Sequence, residues 1–177
     1  MKLNVTKKYG IMMIVICYLL FGSTLAQAMS LKIDFTADYS TGPYSAITGK
    51  IIYEADSATS AIRSLDTIDI IIGDHQYCLS DVGFYSPLGT NSSLIGGTIN
   101  GALSISSGTN DFWLVFNHMG ASTSPENFYY TTKLLNNIYS TTSFSTFSIS
   151  AVPEPAAIYL LGLGLVALAG IRKKIRN

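Results

Sequence analysis

The sequence predicts an all-β domain, an antiparallel β-sandwich or jelly roll, enclosed between two apolar segments. Residues 31–39 alternate strictly between apolar and polar side chains, which is the pattern of a half-buried strand. Short runs rich in β-branched and aromatic residues then recur along the chain, separated by Gly, Asn and Pro turns. Such spacing is typical of antiparallel sandwiches, and helical periodicity is almost absent between the two apolar segments.

Eight or nine strands are predicted along this domain, with turns at residues 42–43 (Gly-Pro) and 73–74 (Gly-Asp). Gly49 is a candidate β-bulge, and residues 56–63 are a candidate helical turn. The run 112–116 is continuously apolar, which predicts a central strand. The predicted strands are 31–39, 47–54, 66–72, 75–79, 94–99, 103–105, 112–116, 129–135 and 143–151.

The predicted core consists of apolar residues on the inward faces of these strands. Cys78 is the only cysteine outside the N-terminal apolar run, and a free cysteine is commonly a small buried side chain. An intermolecular disulfide is the alternative. The predicted core residues are Ile33, Phe35, Ile52, Ile68, Ile70, Ile72, Leu79, Trp113, Val115 and Phe147.

Residues 1–28 have the three parts of a secretory signal peptide. Three lysines precede an uncharged apolar run at 11–21, and Ala26-Gln27-Ala28 follows it. A helix of that length is about 16 Å long, which is too short to cross a hydrocarbon core of about 30 Å. The small side chains of Ala26 and Ala28 suit signal peptidase, so cleavage is predicted after Ala28.

Residues 152–177 have a second three-part pattern. Val152-Pro153-Glu154-Pro155 is followed by an uncharged apolar run at 156–171 and then by a basic end. The run predicts a single transmembrane helix, and the basic end a stop-transfer signal on the cytoplasmic side. A buried core helix is the alternative, but such a helix normally has a polar face. The basic residues are Arg172, Lys173, Lys174 and Arg176.

This tail resembles the PEP-CTERM sorting signal of exopolysaccharide-producing Gram-negative bacteria. The resemblance rests on the motif, the apolar run and the basic cluster, together with the matching signal peptide. It implies processing by exosortase, an integral-membrane cysteine transpeptidase, in or near residues 152–155. Pro153 and Pro155 fit that role, because each lacks an N–H and fixes φ, which holds the segment extended.

The domain between the two ends is acidic. Four basic residues stand against ten acidic ones, a formal charge of −6. An acidic surface repels phosphate backbones, so nucleic acid is not an expected partner. The basic residues are Lys32, Lys50, Arg63 and Lys133.

No catalytic residue, metal site or cofactor is predicted. The histidines are His75 and His118, and Asp74 beside His75 lies at a predicted turn, where Asp is expected for backbone reasons. The spacings of zinc ligands and of the hydrolase nucleophile elbow do not occur.

Four acidic residues lie near the ends of the first two strands. If those strands pair, the carboxylates could converge on one edge and bind Ca²⁺ or act as a glycosidase pair. Scattered surface acids are the favoured interpretation. The four residues are Asp34, Asp38, Glu54 and Asp56.

Four aromatic residues are candidates for stacking on sugar rings if they are exposed: Trp113, Tyr129, Tyr130 and Tyr139. Trp113 lies in the most apolar run and is favoured as a core residue. Tyr129 and Tyr130 are adjacent, so one of them should face solvent.

The expected function is that of a non-enzymatic surface or extracellular-matrix protein associated with exopolysaccharide. Signal peptidase and exosortase would process it, and the C-terminal helix would hold it transiently in the inner membrane. It would then reach the cell surface or the exterior. The alternatives are a secreted polysaccharide-acting hydrolase and a carbohydrate-binding module that stays membrane-tethered. A cleft with convergent carboxylates would favour the hydrolase, and a flat aromatic face would favour binding.

Overall fold

Two antiparallel sheets form the part of the chain that the structure describes. The structure is a computed structural model, and it describes residues 28–99, 102–120 and 122–153. Every strand pair in it is antiparallel, which confirms the predicted all-β class. The predicted signal-peptide helix and transmembrane helix lie outside the described residues.

The first sheet contains β1 (Met29–Asp38), β2 (Ala46–Ala55), β3 (Ile62–Ile72), β4 (His75–Gln76) and β11 (Phe144–Ala151). Their spatial order is β11-β1-β2-β3-β4. The alternation in β1 has the predicted cause, since Leu31, Ile33 and Phe35 are buried and the polar residues between them are not.

The second sheet contains β5 (Val82–Leu88), β6 (Ser92–Ile99), β7 (Ala102–Leu103), β8 (Asp111–Asn117), β9 (Ser124–Thr132) and β10 (Leu135–Thr141). The order is β10-β9-β8-β6-β5, with β7 paired to β6, so the predicted central position of the run 112–116 is confirmed. Each sheet is essentially a meander, and only β11 returns to the first sheet. A jelly roll would alternate consecutive strands between sheets, so this order differs from that alternative.

The core lies between the two sheets and is largely aromatic. Phe35 of β1 contacts Phe128 of β9 with ring centroids 5.2 Å apart, and Phe147 of β11 contacts Phe116 of β8 at 6.1 Å. The Tyr39 hydroxyl donates to the carbonyl oxygen of Phe128 at 3.0 Å. These contacts join the inner faces of the two sheets.

Gly49 is not a bulge, contrary to the prediction. It pairs in regular register with Phe35 on β1 and Ile70 on β3. A Cβ built on Gly49 would lie 2.5 Å from the Cζ atom of Phe35. The glycine is therefore required because the Phe35 ring lies directly against the backbone.

Several predictions of local structure and burial were wrong. Residues 56–60 form bends and a turn without a helix, and a short 3₁₀ helix occurs at Leu79–Asp81 instead. Strand β5 was not predicted, because Gly83 and Pro87 interrupt its pattern. Of the predicted core residues, Ile52 and Phe147 are only half-buried, and Leu79 is 43% exposed.

Candidate functional site

The two predicted processing segments leave the domain side by side. Strands β1 and β11 are antiparallel neighbours, with Leu31 opposite Ala151. The backbone N–H of Val152 donates to the carbonyl oxygen of Ser30 at 2.9 Å, which extends the pairing by one residue. Ala28, the last residue of the predicted signal peptide, therefore lies at the same end of the sheet as the start of the Pro-Glu-Pro motif.

Pro153 follows this last paired residue. Because backbone groups alternate in direction along an antiparallel strand, position 153 faces away from β1, and as a proline it has no N–H to donate on that side. Val152 is half-buried, whereas Pro153 is exposed. The first two residues of the motif thus lie where the pairing of β11 with β1 ends.

The remaining predicted processing residues lie outside the described part of the chain. Within the described residues, no helix has the length and apolar character needed to cross a membrane. The residues outside are Ala26, Glu154, Pro155, the run 156–171, Arg172, Lys173, Lys174 and Arg176.

The outer face of the second sheet carries a second candidate site. Strand register places Trp113 opposite Tyr129, and Val115 opposite Leu94, on the face away from the core. Tyr85 is opposite Leu94 on the adjacent strand β5 and is 59% exposed. We call this group of five residues the aromatic face.

Trp113 therefore lies half-buried on the outer face of the sheet and not in the core, so its predicted core position was wrong. Its indole lies across Gly96, where an added Cβ would come 2.5 Å from the Trp113 Cδ1 atom. The Trp113 and Tyr129 rings meet edge to face at 6.2 Å. Tyr129 faces outward and Tyr130 is fully buried, as predicted for two adjacent residues of a strand.

The aromatic face has a floor and a polar margin. Leu94 and Val115 are only 7% and 9% exposed and fill the space between the rings. Beyond them, the Ser92 hydroxyl donates to Glu126 Oε1 at 2.8 Å. Apolar rings beside fixed polar groups match the two sides of a sugar, one formed by C–H groups and the other by hydroxyls.

A cleft of about 360 Å³ lies where β4 and β6 approach the turn between β9 and β10. Two of its ring residues pack together, since His75 meets Tyr77 edge to face at 4.5 Å. Hydrogen bonds fix its wall, because the Lys133 N–H donates to Asn110 Oδ1 at 2.9 Å. The lining residues are His75, Tyr77, Asp81, Gly97, Thr98, Gly108, Thr109, Asn110 and Lys133.

Asp111 is a buried carboxyl next to this cleft. Its Oδ1 accepts the backbone N–H of Phe112 at 2.8 Å and lies against Gly97. No hydrogen-bond partner of its Oδ2 lies among the described residues, and the Tyr77 hydroxyl is likewise unpartnered there. Burial raises the pKa of Asp111 to about 6, against the lowering effect of the backbone N–H groups of Phe112 and Gly97. The charge of Asp111 in turn adds to the burial that raises the pKa of Tyr77.

His118 belongs to a buried hydrogen-bond chain. Its Nε2 is 2.8 Å from Ser93 Oγ, which is 2.6 Å from Ser86 Oγ, and the Ile62 N–H donates to Ser86 at 2.9 Å. Burial lowers the pKa of His118, which favours the neutral ring in its hydrogen bond with Ser93. Ser93 and His118 are both fully buried. This series of hydrogen bonds therefore links β3, β5, β6 and the residue after β8, and its side chains are not accessible from the surface.

The four acidic residues of the first two strands do not converge. Antiparallel pairing puts Asp38 opposite Ala46 and Glu54 opposite Ser30, roughly 25 Å apart along the strands. Asp34 pairs with Lys32 at 2.6 Å, and Asp56 with Arg63 at 2.7 Å. Their interpretation as separate surface acids is supported by these partners.

Cys78 is exposed, which corrects its predicted burial. It precedes the 3₁₀ helix, and its backbone N–H donates to Asp81 Oδ2 at 3.1 Å. This hydrogen bond holds the backbone of Cys78 in the turn, and its side chain lies at the surface.

The last strand of the β domain runs directly into the Pro-Glu-Pro tail. The family model of the PEP-CTERM protein-sorting motif matches residues 151–174. The match covers the C-terminal tail and not the β domain, and it supports an exported protein that is sorted by exosortase. Comparison with curated proteins and with solved structures finds no match to the chain.

Proposed function

We propose that the protein is a non-enzymatic component of the cell surface or extracellular matrix that binds exopolysaccharide through the aromatic face. The observation that carries this proposal is the outward position of Trp113 and Tyr129 on a sheet whose inner face already supplies the core. Apolar side chains in such a position usually mark a binding surface.

The dimensions and charge of the aromatic face suit a neutral polysaccharide. Tyr85 and Tyr129 lie three strand spacings apart, about 14 Å, which is the length of two to three sugar rings. Asp111 and Glu126 are the only charged residues in the strands of the second sheet, and Asp111 is buried. A neutral sugar that stacks on the aromatic face therefore covers no charged side chain that would need a counter-charge.

Binding can be measured through the single tryptophan, since Trp113 is the only one in the chain. Titration with neutral hexose oligosaccharides and with exopolysaccharide from the native host should change its emission. Tyr129→Ala should weaken binding about three- to tenfold. Ile71→Ala, which removes an exposed apolar side chain from the first sheet, is the matched control and should leave binding unchanged. Equal affinity of both variants would contradict the proposal.

Sorting can be tested by the intact mass of the protein in cell fractions of the native host, with and without exosortase. A mature form that starts at Met29 and ends within residues 152–155, and that disappears without exosortase, is expected. A membrane-bound form that keeps the residues through Asn177 in both strains would show that the tail is a permanent anchor.

The cleft supports a second candidate, hydrolysis of polysaccharide. Two carboxyls lie near the Tyr77 hydroxyl: Asp81 lines the cleft, and Asp111 has its pKa raised to about 6. A carboxyl whose pKa is raised to about 6 is protonated below that pH, which is the state needed of a general acid on a glycosidic oxygen; Asp111 itself lies behind the wall of the cleft. Release of reducing ends from exopolysaccharide, abolished by Asp111→Asn and kept in Tyr129→Ala, would favour this candidate. Absence of release from every glycan offered would favour the binding role.

A further inference from the structure

Strand β11 is an edge strand. Its register with β1 is interrupted at Ser145, but residues 146–151 pair regularly and lack the usual protection of an edge. It pairs with β1 on one side, and no backbone partner for its other side occurs among the described residues. Its sequence, Phe-Ser-Thr-Phe-Ser-Ile-Ser-Ala, contains no charged residue, no proline and no glycine. Natural proteins usually block such an edge with a charge, a proline or a bulge, because a free edge pairs with other strands.

The other edges of the two sheets are short, charged or interrupted. At the far edge of the first sheet, β4 has only two residues, and β3 beside it carries Arg63, Asp66 and Asp69. In the second sheet, Pro87 interrupts the edge strand β5. The other edge strand of the second sheet, β10, also lacks charge and proline, but its register with β9 is irregular between Leu135 and Tyr139. The longest regular edge without protection is therefore that of β11.

Strand β11 adds no charge to this edge, and the nearest charged side chains lie on β1. There Lys32 pairs with Asp34, and Asp38 Oδ1 accepts a hydrogen bond from the Ser145 hydroxyl. Lys133 is the only charged residue between Asn127 and Pro153, although the domain has a formal charge of −6. The neighbouring edge strand β10 exposes Ile138 at 48%, and Leu134 before it is 88% exposed. A second copy that approaches along this side therefore meets no charged side chain on β11 itself.

We propose that β11 pairs antiparallel with β11 of a second copy of the chain, which joins the two first sheets into one continuous sheet. A two-fold axis through Ser148 places Phe147 of each copy opposite Ile149 of the other. This register keeps like faces together, because Phe147 and Ile149 both point inward, opposite Phe35 and Ile33. Outside, it places Thr146 opposite Ser150 of the other copy.

This register gives favourable cross-strand pairs. Aromatic residues opposite β-branched residues, and Thr opposite Ser, are among the pairs that stabilise antiparallel sheets. Phe147 and Ile149 are only half-buried in one copy, and the second copy would cover them further. The pairing is isologous, so it closes at two chains through this edge.

Cysteine crosslinking of the exported full chain tests this register directly. In a Cys78→Ser background, Ser148→Cys should give a disulfide-linked dimer, because the two side chains meet at the axis. Lys50→Cys, on the same outer face but in the inner strand β2, should not. Thr146→Cys and Ser150→Cys should crosslink when they are expressed together. Crosslinking of Ser148→Cys to a different protein, or equal crosslinking of Lys50→Cys, would overturn the proposal.

The mass of the mature protein in solution gives an independent test. The protein purified from its host should be dimeric at micromolar concentration and monomeric with Ser148→Lys, which brings two positive charges together. Thr48→Lys, equally exposed in an inner strand, should remain dimeric. A monomer in the unsubstituted protein, or a dimer that Ser148→Lys does not weaken, would contradict pairing through β11. Neither result depends on glycan binding by the aromatic face.

Discussion

The outer faces of the two sheets differ in polarity, although both sheets cover the same core. The first sheet presents Ser, Thr and charged residues that bond to one another, such as the Thr146 hydroxyl, which donates to Thr36 Oγ1 at 2.9 Å. The second presents Trp113, Tyr129 and the nearly buried Val115. A polar outer face is expected of a sheet that is solvated on one side, as in the first sheet. The second sheet instead has apolar side chains on its outer face, which folding alone does not require.

The largest effect should separate the inner and outer faces of β1. Phe35→Ala removes a ring packed between Gly49 and Phe128 and should lower the free energy of unfolding by about 3–5 kcal/mol. Thr36→Ala, the next residue but on the outer face, should change it by less than about 0.5 kcal/mol. Urea denaturation of both variants measures the difference, and similar losses would contradict the assignment of the two faces.

The next effect concerns Asp111, a fully buried carboxyl of the second sheet, in comparison with Asp69, an exposed carboxyl of the first. The pKa of Asp111, about 6 when folded against 3.8 unfolded, makes the folded state bind more protons between these values. Its stabilising contribution is complete below pH 3.8 and is lost as pH rises through 6, a change of about 3 kcal/mol. Asp111→Asn should remove this pH dependence.

The control for that prediction is Asp69→Asn, which alters an exposed carboxyl of the first sheet. Its unfolding free energy should follow that of the unsubstituted protein between pH 4 and pH 7. His118 contributes with the opposite sign, because its lowered pKa makes stability fall as pH drops through 6.5. The comparison of Asp111→Asn with the unsubstituted protein cancels that contribution.

A smaller effect should come from Gly96, beneath the Trp113 ring. In Gly96→Ala the new Cβ would lie 2.5 Å from the Phe112 carbonyl oxygen and from Trp113 Cδ1. The indole should shift, with a loss of about 2 kcal/mol and a change in emission wavelength. Gly83→Ala, whose nearest contact is the Thr98 methyl group at 3.2 Å, should leave emission unchanged. Unchanged emission in Gly96→Ala would place the indole elsewhere.

The smallest effect should be that of the ion pair on the polar outer face. Lys32 and Asp34 are both partly exposed, so Lys32→Ala should cost less than about 1 kcal/mol. That cost should shrink as salt concentration rises. A salt-independent loss of several kcal/mol would mean that this face has a packing role.

The difference between the faces also explains which predictions succeeded. In β1 the two faces differ in polarity, so alternation identified both the strand and its buried residues. In β8 both faces are apolar, so Trp113 and Val115 could not be distinguished from Phe112 and Leu114 by any local pattern. A continuous apolar run is expected of a strand covered on both sides, and that expectation put Trp113 in the core.

The candidate sites also differ in how far the sequence alone could identify them. The sorting motif could be identified from the sequence, because its chemistry is contained in consecutive residues. The hydrogen bond between Val152 and Ser30 could not, since it depends on which strand β11 joins. The aromatic face and the surroundings of Asp111 likewise require the register of several strands. The missed burial of Asp111 has no sequence signal, as Asp at a strand start is ordinarily solvated.

The adjacency of Ala28 and Val152 determines how the domain responds to mechanical force. When both ends are held in a membrane and the domain is pulled away, tension acts across the β1–β11 pair and not along it. The bond between Val152 and Ser30 bears the load first, and the pairs from Leu31–Ala151 onward then open in succession. Once the N-terminal segment is removed, only β11 transmits the load. Removal of the predicted signal peptide would therefore replace a pair of strands that unzips under low tension with a single attachment through β11.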